Sequence, residues 1–142
     1  MWLSQVASNK TIWVAVLAWS IAQLIKISLN AFQNKKIDIR LLYSTGGMPS
    51  SHSAFVSAAT ISAGRIYGFD TGLFAVSMVF ALVVMYDAAG VRRAAGTHAT
   101  AINLLLNING VNFEKHLKEL LGHTPIQVAA GAILGIVTAV LV

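Results

Sequence analysis

The chain has 142 residues, of which 56% are hydrophobic and 11% charged, and a mean hydropathy of +0.71. That balance excludes an ordinary soluble domain and predicts one integral membrane domain over residues 1–142; the absence of cysteine excludes disulfides, thiolate catalysis and cysteine-ligated metals. The formal net charge of +5 comes from Lys and Arg that punctuate hydrophobic runs, which points to membrane orientation and phosphate-bearing lipids and away from nucleic acid.

The first ten residues lack the basic start and small-residue cleavage pattern of a signal peptide, so none is expected. A crossing needs roughly 20 mostly apolar residues to cover about 30 Å of hydrocarbon, and four segments approach that length. The first, at about residues 11–32, carries Lys26 near its end, with Trp2 and Trp13 suited to an interfacial belt. The second, at about 49–67, is rich in Ala, Ser and Gly, which suits close packing at the centre of a bundle. Gly68-Phe69-Asp70 leaves room only for a tight turn, so the second segment and the third, at about 71–89, are predicted to form a helical hairpin. Residues 90–125 are the longest polar region, with an amphipathic helix expected near 113–121. The fourth segment, at about 126–142, is short and would cross with help from thinning of the bilayer. The expected fold is all-α, a polytopic membrane helical bundle with about four membrane-embedded helices.

Lys35, Lys36 and Arg40 follow the first segment, and Arg92, Arg93, Lys115 and Lys118 follow the third, while the opposite loops offer Lys10 and Arg65. The bias toward basic cytoplasmic loops then puts the N-terminus outside. It also brings three polar clusters to the cytoplasmic face: Gly46 to His52, Arg92/Arg93/His98, and His123.

Phosphoryl transfer without a metal needs cations for the oxyanion, oriented N–H donors, a nucleophile and an acid for the leaving oxygen. Arg92 and Arg93 carry guanidinium forks matched to phosphate. Gly47, Ser50, Ser51 and the start of the second helix supply donors near a positive helix end, and Lys26 and Arg40 add charge. His52, His98 and His123 can attack phosphorus or carry a proton near neutral pH. Asp87 is a candidate for orienting a histidine. Simpler roles exist for several: Ser50 as a helix cap, the arginine pair as a stop after a span, Asp87 as an ion-pair partner that fixes the loop, and Lys26 as a snorkelling side chain.

Pro49-Ser50-Ser51-His52 resembles the Pro-Ser-Gly-His motif of the type 2 phosphatidic acid phosphatase superfamily, which includes lipid phosphatases and vanadium haloperoxidases. Three longer blocks resemble its short divergent branch: Gly46-Gly47-Met48-Pro49-Ser50-Ser51-His52-Ser53, then residues 86–96 (Tyr86-Asp87-Ala88-Ala89-Gly90-Val91-Arg92-Arg93-Ala94-Ala95-Gly96), then Leu120-Leu121-Gly122-His123-Thr124-Pro125. By resemblance His52 is the general acid and a second histidine forms a phosphohistidine, oriented by a carboxylate four residues later. One mapping of that nucleophile uses Arg92 and His98, whose spacing matches, with Ile102 at the carboxylate position. The other uses His123, where the branch resembles His-Thr-Pro-x-Glu and this chain has Gln127, an amide able to hold the imidazole tautomer without charge. The superfamily's first block is absent: Gln33 lies seven residues after Lys26, and Leu41 follows Arg40.

The resemblance implies a membrane phosphatase acting on a lipid phosphomonoester or diphosphate through a phosphohistidine, with no metal or other cofactor. The partners expected are a phosphorylated membrane lipid and the bilayer, with no nucleic acid and with room for a homo-oligomer. The alternative is a catalytically inactive relative that binds phospholipid headgroups or acts as a membrane scaffold; a small transporter component is a third class.

Overall fold

The computed structural model describes residues 2–35, 47–108, 117, 119 and 121–142, and the elements among them are all helical. In chain order they are α1 (Trp2–Ala7), α2 (Lys10–Asn34), α3 (Ser51–Tyr67), α4 (Gly72–Ala89), α5 (Val91–Ile108) and α6 (Pro125–Leu141). Short polar side chains start the helices. Asn9 accepts from the Ile12 N–H at 3.3 Å, Ser50 from Ser53 at 3.4 Å, Thr71 from Phe74 at 3.3 Å, and Thr124 from Gln127 at 3.4 Å. Each satisfies a donor that the first turn leaves without a partner. The expected amphipathic helix near 113–121 falls largely outside the described residues.

The polar region at 90–125 holds a helix that its composition concealed. Gly90 interrupts the chain after α4, and α5 then runs for 18 residues. Its apolar stripe of Val91, Ala95, Ile102 and Leu106 has helical spacing, diluted in the sequence by Arg92, Arg93, Thr97, His98 and Thr100.

Two stretches are long and apolar enough to cross a membrane: α2, and the run Gly72–Ile108 formed by α4 and α5. Helix α6, with 17 residues, is apolar but shorter. Helix α3 is also 17 residues long and mixes Ser, Thr, Ala and Gly with Phe55, Val56, Ile61 and Ile66.

Helix α3 sits at the centre, packed on α2, α4 and α6. Ser62 Oγ donates to Thr11 Oγ1 at 3.4 Å, so α2 runs antiparallel to α3. Thr60 Oγ1 donates to the Ser77 carbonyl at 3.1 Å and Ser57 Oγ reaches Met85 Sδ at 4.0 Å, so α3 and α4 form the expected hairpin. Helix α6 lies parallel to α3, with Gly131 against Ser50 and Ser53 and Gly135 against Ala54 and Ala58. At both glycines an added Cβ would run into a carbonyl oxygen of α3. Backbones meet there as in small-xxx-small helix pairs, where dispersion replaces the hydrophobic effect.

The core is accordingly made of small side chains: Ala18, Ala22, Ala54, Ala58 and Ala139 with Val14. Large apolar residues lie outside. Val76, Val79, Phe80 and Val83 on α4 are all exposed, an inside-out arrangement that a hydrocarbon surround stabilises and water would not.

Candidate functional site

The N-terminal ends of α3 and α6, the α4–α5 junction and the C-terminal half of α2 meet at one end of the bundle. Two backbone hydrogen bonds tie them. The Ser50 N–H donates to the Gln127 carbonyl at 3.0 Å, and the His123 N–H donates to the Ala88 carbonyl at 2.9 Å. Gly122, at φ +81°, lies directly over the Arg92–Arg93 backbone with no room for a side chain. That close approach turns the chain so that His123 enters the bundle.

His123 is 3% exposed. Its Nδ1 lies 3.2 Å from Gln127 Oε1, and the same oxygen accepts from the Thr124 N–H at 3.1 Å. A backbone N–H facing this atom requires it to be the carbonyl oxygen of the amide and not the nitrogen, so His123 must donate from Nδ1. The lone pair is thereby left on Nε2. That atom is buried and makes no hydrogen bond. Gln127 thus serves twice, as the last residue of a capping box on α6 and as the group that fixes the His123 tautomer.

Burial pushes the His123 imidazole below the usual histidine value. The Gln127 hydrogen bond opposes this, the Lys26 and His52 charges add to it, and the Gly47 backbone raises it slightly without meeting hydrogen-bond geometry at Nε2. His123 is therefore a neutral imidazole near pH 7.

Lys26 supplies the nearest cation. It is 3% exposed, its methylenes pass over Gly47 (φ +91°), and no carboxylate pairs with it among the described residues. A buried ammonium without a counter-ion is costly unless an anion joins it. His52, in the first turn of α3, is within the electrostatic reach of Lys26, Arg92 and Asp87 as well as of His123. Arg92 donates from Nε to Asp87 Oδ2 at 2.7 Å, which orients the guanidinium and leaves its terminal nitrogens available.

Arg92 and Arg93 diverge. Arg92 lines a groove of about 430 Å³ with His52, Trp19, Phe55 and Phe80. Arg93 lines a separate pocket of about 540 Å³ with Gly47, His123 and Gln127. Ser50 is fully buried, and its oxygen faces its own helix, receiving the Ser53 N–H and, at 3.0 Å, the Ser53 hydroxyl; the structure gives it the capping role. Ser51 is buried beside it. Arg40 and Gly46 lie outside the described residues.

His98 is not brought to this cluster. Six residues after Arg92 at about 100° per residue, it stands roughly 240° around α5, exposed on the same face as Val91, Ala95 and Ile102. Beside the expected carboxylate position, Asn103 is committed elsewhere: Nδ2 donates to the Leu117 carbonyl at 2.8 Å and to Glu119 Oε1 at 2.7 Å, and Oδ1 accepts from the Leu117 N–H at 2.9 Å. Among the described residues no three His, Asp or Glu side chains gather as metal ligands.

Two supports of the site escaped the sequence reading. The pair Gly131-x3-Gly135 was visible as a small-xxx-small motif, and Thr124-Pro125-Ile126-Gln127 as a capping box. The docking of the His123 N–H on Ala88 had no local signal.

Residues 7–138 match the model of a family described as the divergent PAP2 family. A relative from Bacillus subtilis (strain 168), named uncharacterized membrane protein YuiD, is 46% identical over an alignment covering 81% of this chain and 82% of its own length. No solved structure matches the chain.

Proposed function

This chain belongs to the divergent PAP2 family, and from that premise we propose that it is a multi-pass membrane phosphatase that hydrolyses a lipid phosphomonoester or diphosphate through a phosphohistidine. The observation that carries the reading is the buried, unpartnered Nε2 of His123, held as a lone pair by Gln127 beside the unpaired Lys26 ammonium. His123 is the nucleophile, His52 the acid, and Lys26, Arg92 and Arg93 the cations, Arg92 from the groove that His52 lines and Arg93 from the pocket that His123 lines; Gly47 and the first N–H groups of α3 complete the cradle.

In the first step the Nε2 lone pair forms a bond to phosphorus as the bond from phosphorus to the lipid oxygen breaks. His52 gives its proton to that oxygen; a phosphate dianion entering beside its imidazole favours the charged form needed for this. In the second step water attacks phosphorus, His52 takes the water proton, and the nitrogen–phosphorus bond breaks to restore the Nε2 lone pair. Gln127 holds Nδ1–H throughout, as a carboxylate would, but without a charge to stabilise the imidazolium.

The apolar groove that starts at His52 and Arg92 and runs past Phe55 and Phe80 gives the lipid chain a place beside the headgroup site. The reading takes four membrane-embedded helices from the apolar segments, and the positive loops turn this end of the bundle toward the cytoplasm.

One observation favours the second reading, an inactive headgroup-binding relative: Gln127 stands where the branch pattern has a carboxylate. Phosphate release from a panel of lipid phosphates, using purified protein in detergent with chelator, separates the two. Wild type and His98→Ala are expected to release phosphate, with His52→Ala and His123→Ala lower by about 10²–10⁴-fold. Release by wild type that does not exceed the His52→Ala background would leave only the binding role.

A further inference from the structure

The two basic residues left on the far side of the bundle, Lys10 and Arg65, meet in one cavity. It has a volume of about 390 Å³ and lies between the start of α2 and the ends of α3 and α6, with Trp13, Leu17 and Ile66 among its apolar walls and Val142, the last residue of the sequence, also on its lining; among the described residues no carboxylate, main-chain or side-chain, forms an ion pair with Lys10 or Arg65. It is remote from His52 and His123. Thirteen helical residues separate His52 from Arg65 and sixteen separate Lys26 from Lys10, or about 20 and 24 Å at 1.5 Å per residue, comparable to the hydrocarbon thickness of a bilayer.

We propose that this cavity binds the phosphate-bearing headgroup of an anionic phospholipid in the leaflet opposite the histidine site. Both cationic groups are placed for it. Arg65 Nη1 donates to the Ala139 and Val140 carbonyls, which holds the guanidinium in position and leaves Nε and Nη2 to a ligand. Lys10 occupies the first position of α2, where a positive charge opposes the helix dipole, and its ammonium makes no hydrogen bond among the described residues. Helix stability therefore does not explain Lys10, whereas an anion between it and Arg65 does.

The walls select a lipid over a free ion. Trp13 is fixed by donation from Nε1 to the Ala7 carbonyl at 2.6 Å, giving a rigid amphipathic ring at the depth where interfacial tryptophans meet headgroups. Leu17 and Ile66 continue the apolar surface toward the hydrocarbon. A hydrated inorganic phosphate gains nothing from such walls, while a phospholipid keeps its glycerol and first methylenes against them.

The test is fluorescence quenching of Trp13 alone, in a full-length variant with Trp2→Phe and Trp19→Phe, reconstituted in phosphatidylcholine nanodiscs. Phosphatidylglycerol with brominated chains is expected to quench Trp13 saturably, at about one twenty-fifth the mole fraction that brominated phosphatidylcholine requires, about fivefold for each of the two cations. Lys10→Gln should remove about fivefold of that preference; its side chain makes no hydrogen bond or ion pair among the described residues, so it serves where Arg65→Gln would disturb the end of α6. Equal quenching by the two lipids overturns the proposal, as does a preference that Lys10→Gln leaves intact. Loss of the preference in millimolar inorganic phosphate would identify a free-phosphate site and equally overturn the lipid assignment.

Discussion

Along the seam between α3 and α6 the backbones themselves touch, with Gly131 on the Ser50 carbonyl and Gly135 on the Ala54 carbonyl. Helix α5 meets the bundle differently, through α4 and through Gly96, Thr100 and Asn103 against Leu117, Glu119 and Leu121. The seam admits no added atom, whereas much of α5 faces outward. His123 belongs to the first region and His98 to the second. The contrast teaches that a histidine's value as a nucleophile rests on what immobilises it: His123 has a fixed tautomer and a dry lone pair, and His98 has neither.

The largest way to break that contrast is at the seam. Gly131→Leu forces a side chain onto the Ser50 carbonyl, which cannot move without undoing the cap of α3. A loss of about 3 kcal/mol or more is expected, seen as loss of the folded protein in thermal unfolding in detergent. Gly72→Ala is the matching control, since open space surrounds that position; it should change stability by less than about 1 kcal/mol. Equal effects at the two glycines would mean that the seam is not close-packed.

Next in size is the division between the histidines. His123→Ala should lower turnover by about 10²–10⁴-fold, and His98→Ala by less than about twofold on the same scale. A smaller effect probes the tautomer. Gln127→Ala removes one half of a capping box, for about 1 kcal/mol, and also frees the imidazole. If orientation matters to the chemistry, kcat falls more than Thr124→Ala makes it fall, although both variants lose the cap.

The smallest effect is in pH. The folded-state value of His123 lies below its unfolded value, so between the two the unfolded chain binds more protons. Its contribution to stability is full above about pH 6.5, the free-histidine value, and is lost as pH falls from there toward the folded value. Thermal midpoints followed downward from pH 7 should fall more steeply for wild type than for His123→Gln; parallel curves would mean that His123 is not buried as a neutral ring.

Much of the helical layout was legible because local features carry it. The turn at Gly68-Phe69-Asp70, the apolar run of α4 and the small residues of α3 each signal their role within a few residues. Helix α5 was not legible, because its stripe is interrupted and Gly90 ends the preceding run. At the site, His52 and Arg92 stood out by residue type and spacing. Which of His98 and His123 is buried at the cluster could not be read from spacing, because it depends on the phase of α5 and on the fit of Gly122 over Arg93. These are properties of packing between segments distant in sequence. The role of Lys26 was equally undetermined, since a snorkelling lysine and a buried one read the same until Gly47 is seen against its stem.

The central claim is that His123 carries the phosphoryl group. Its most direct test is to quench the purified protein during incubation with a lipid phosphate at alkaline pH, where phosphohistidine survives, and locate the added phosphoryl by peptide mass spectrometry. Phosphate is expected on His123 and absent from His123→Ala. Phosphate on His98, or steady turnover by His123→Ala, would contradict it.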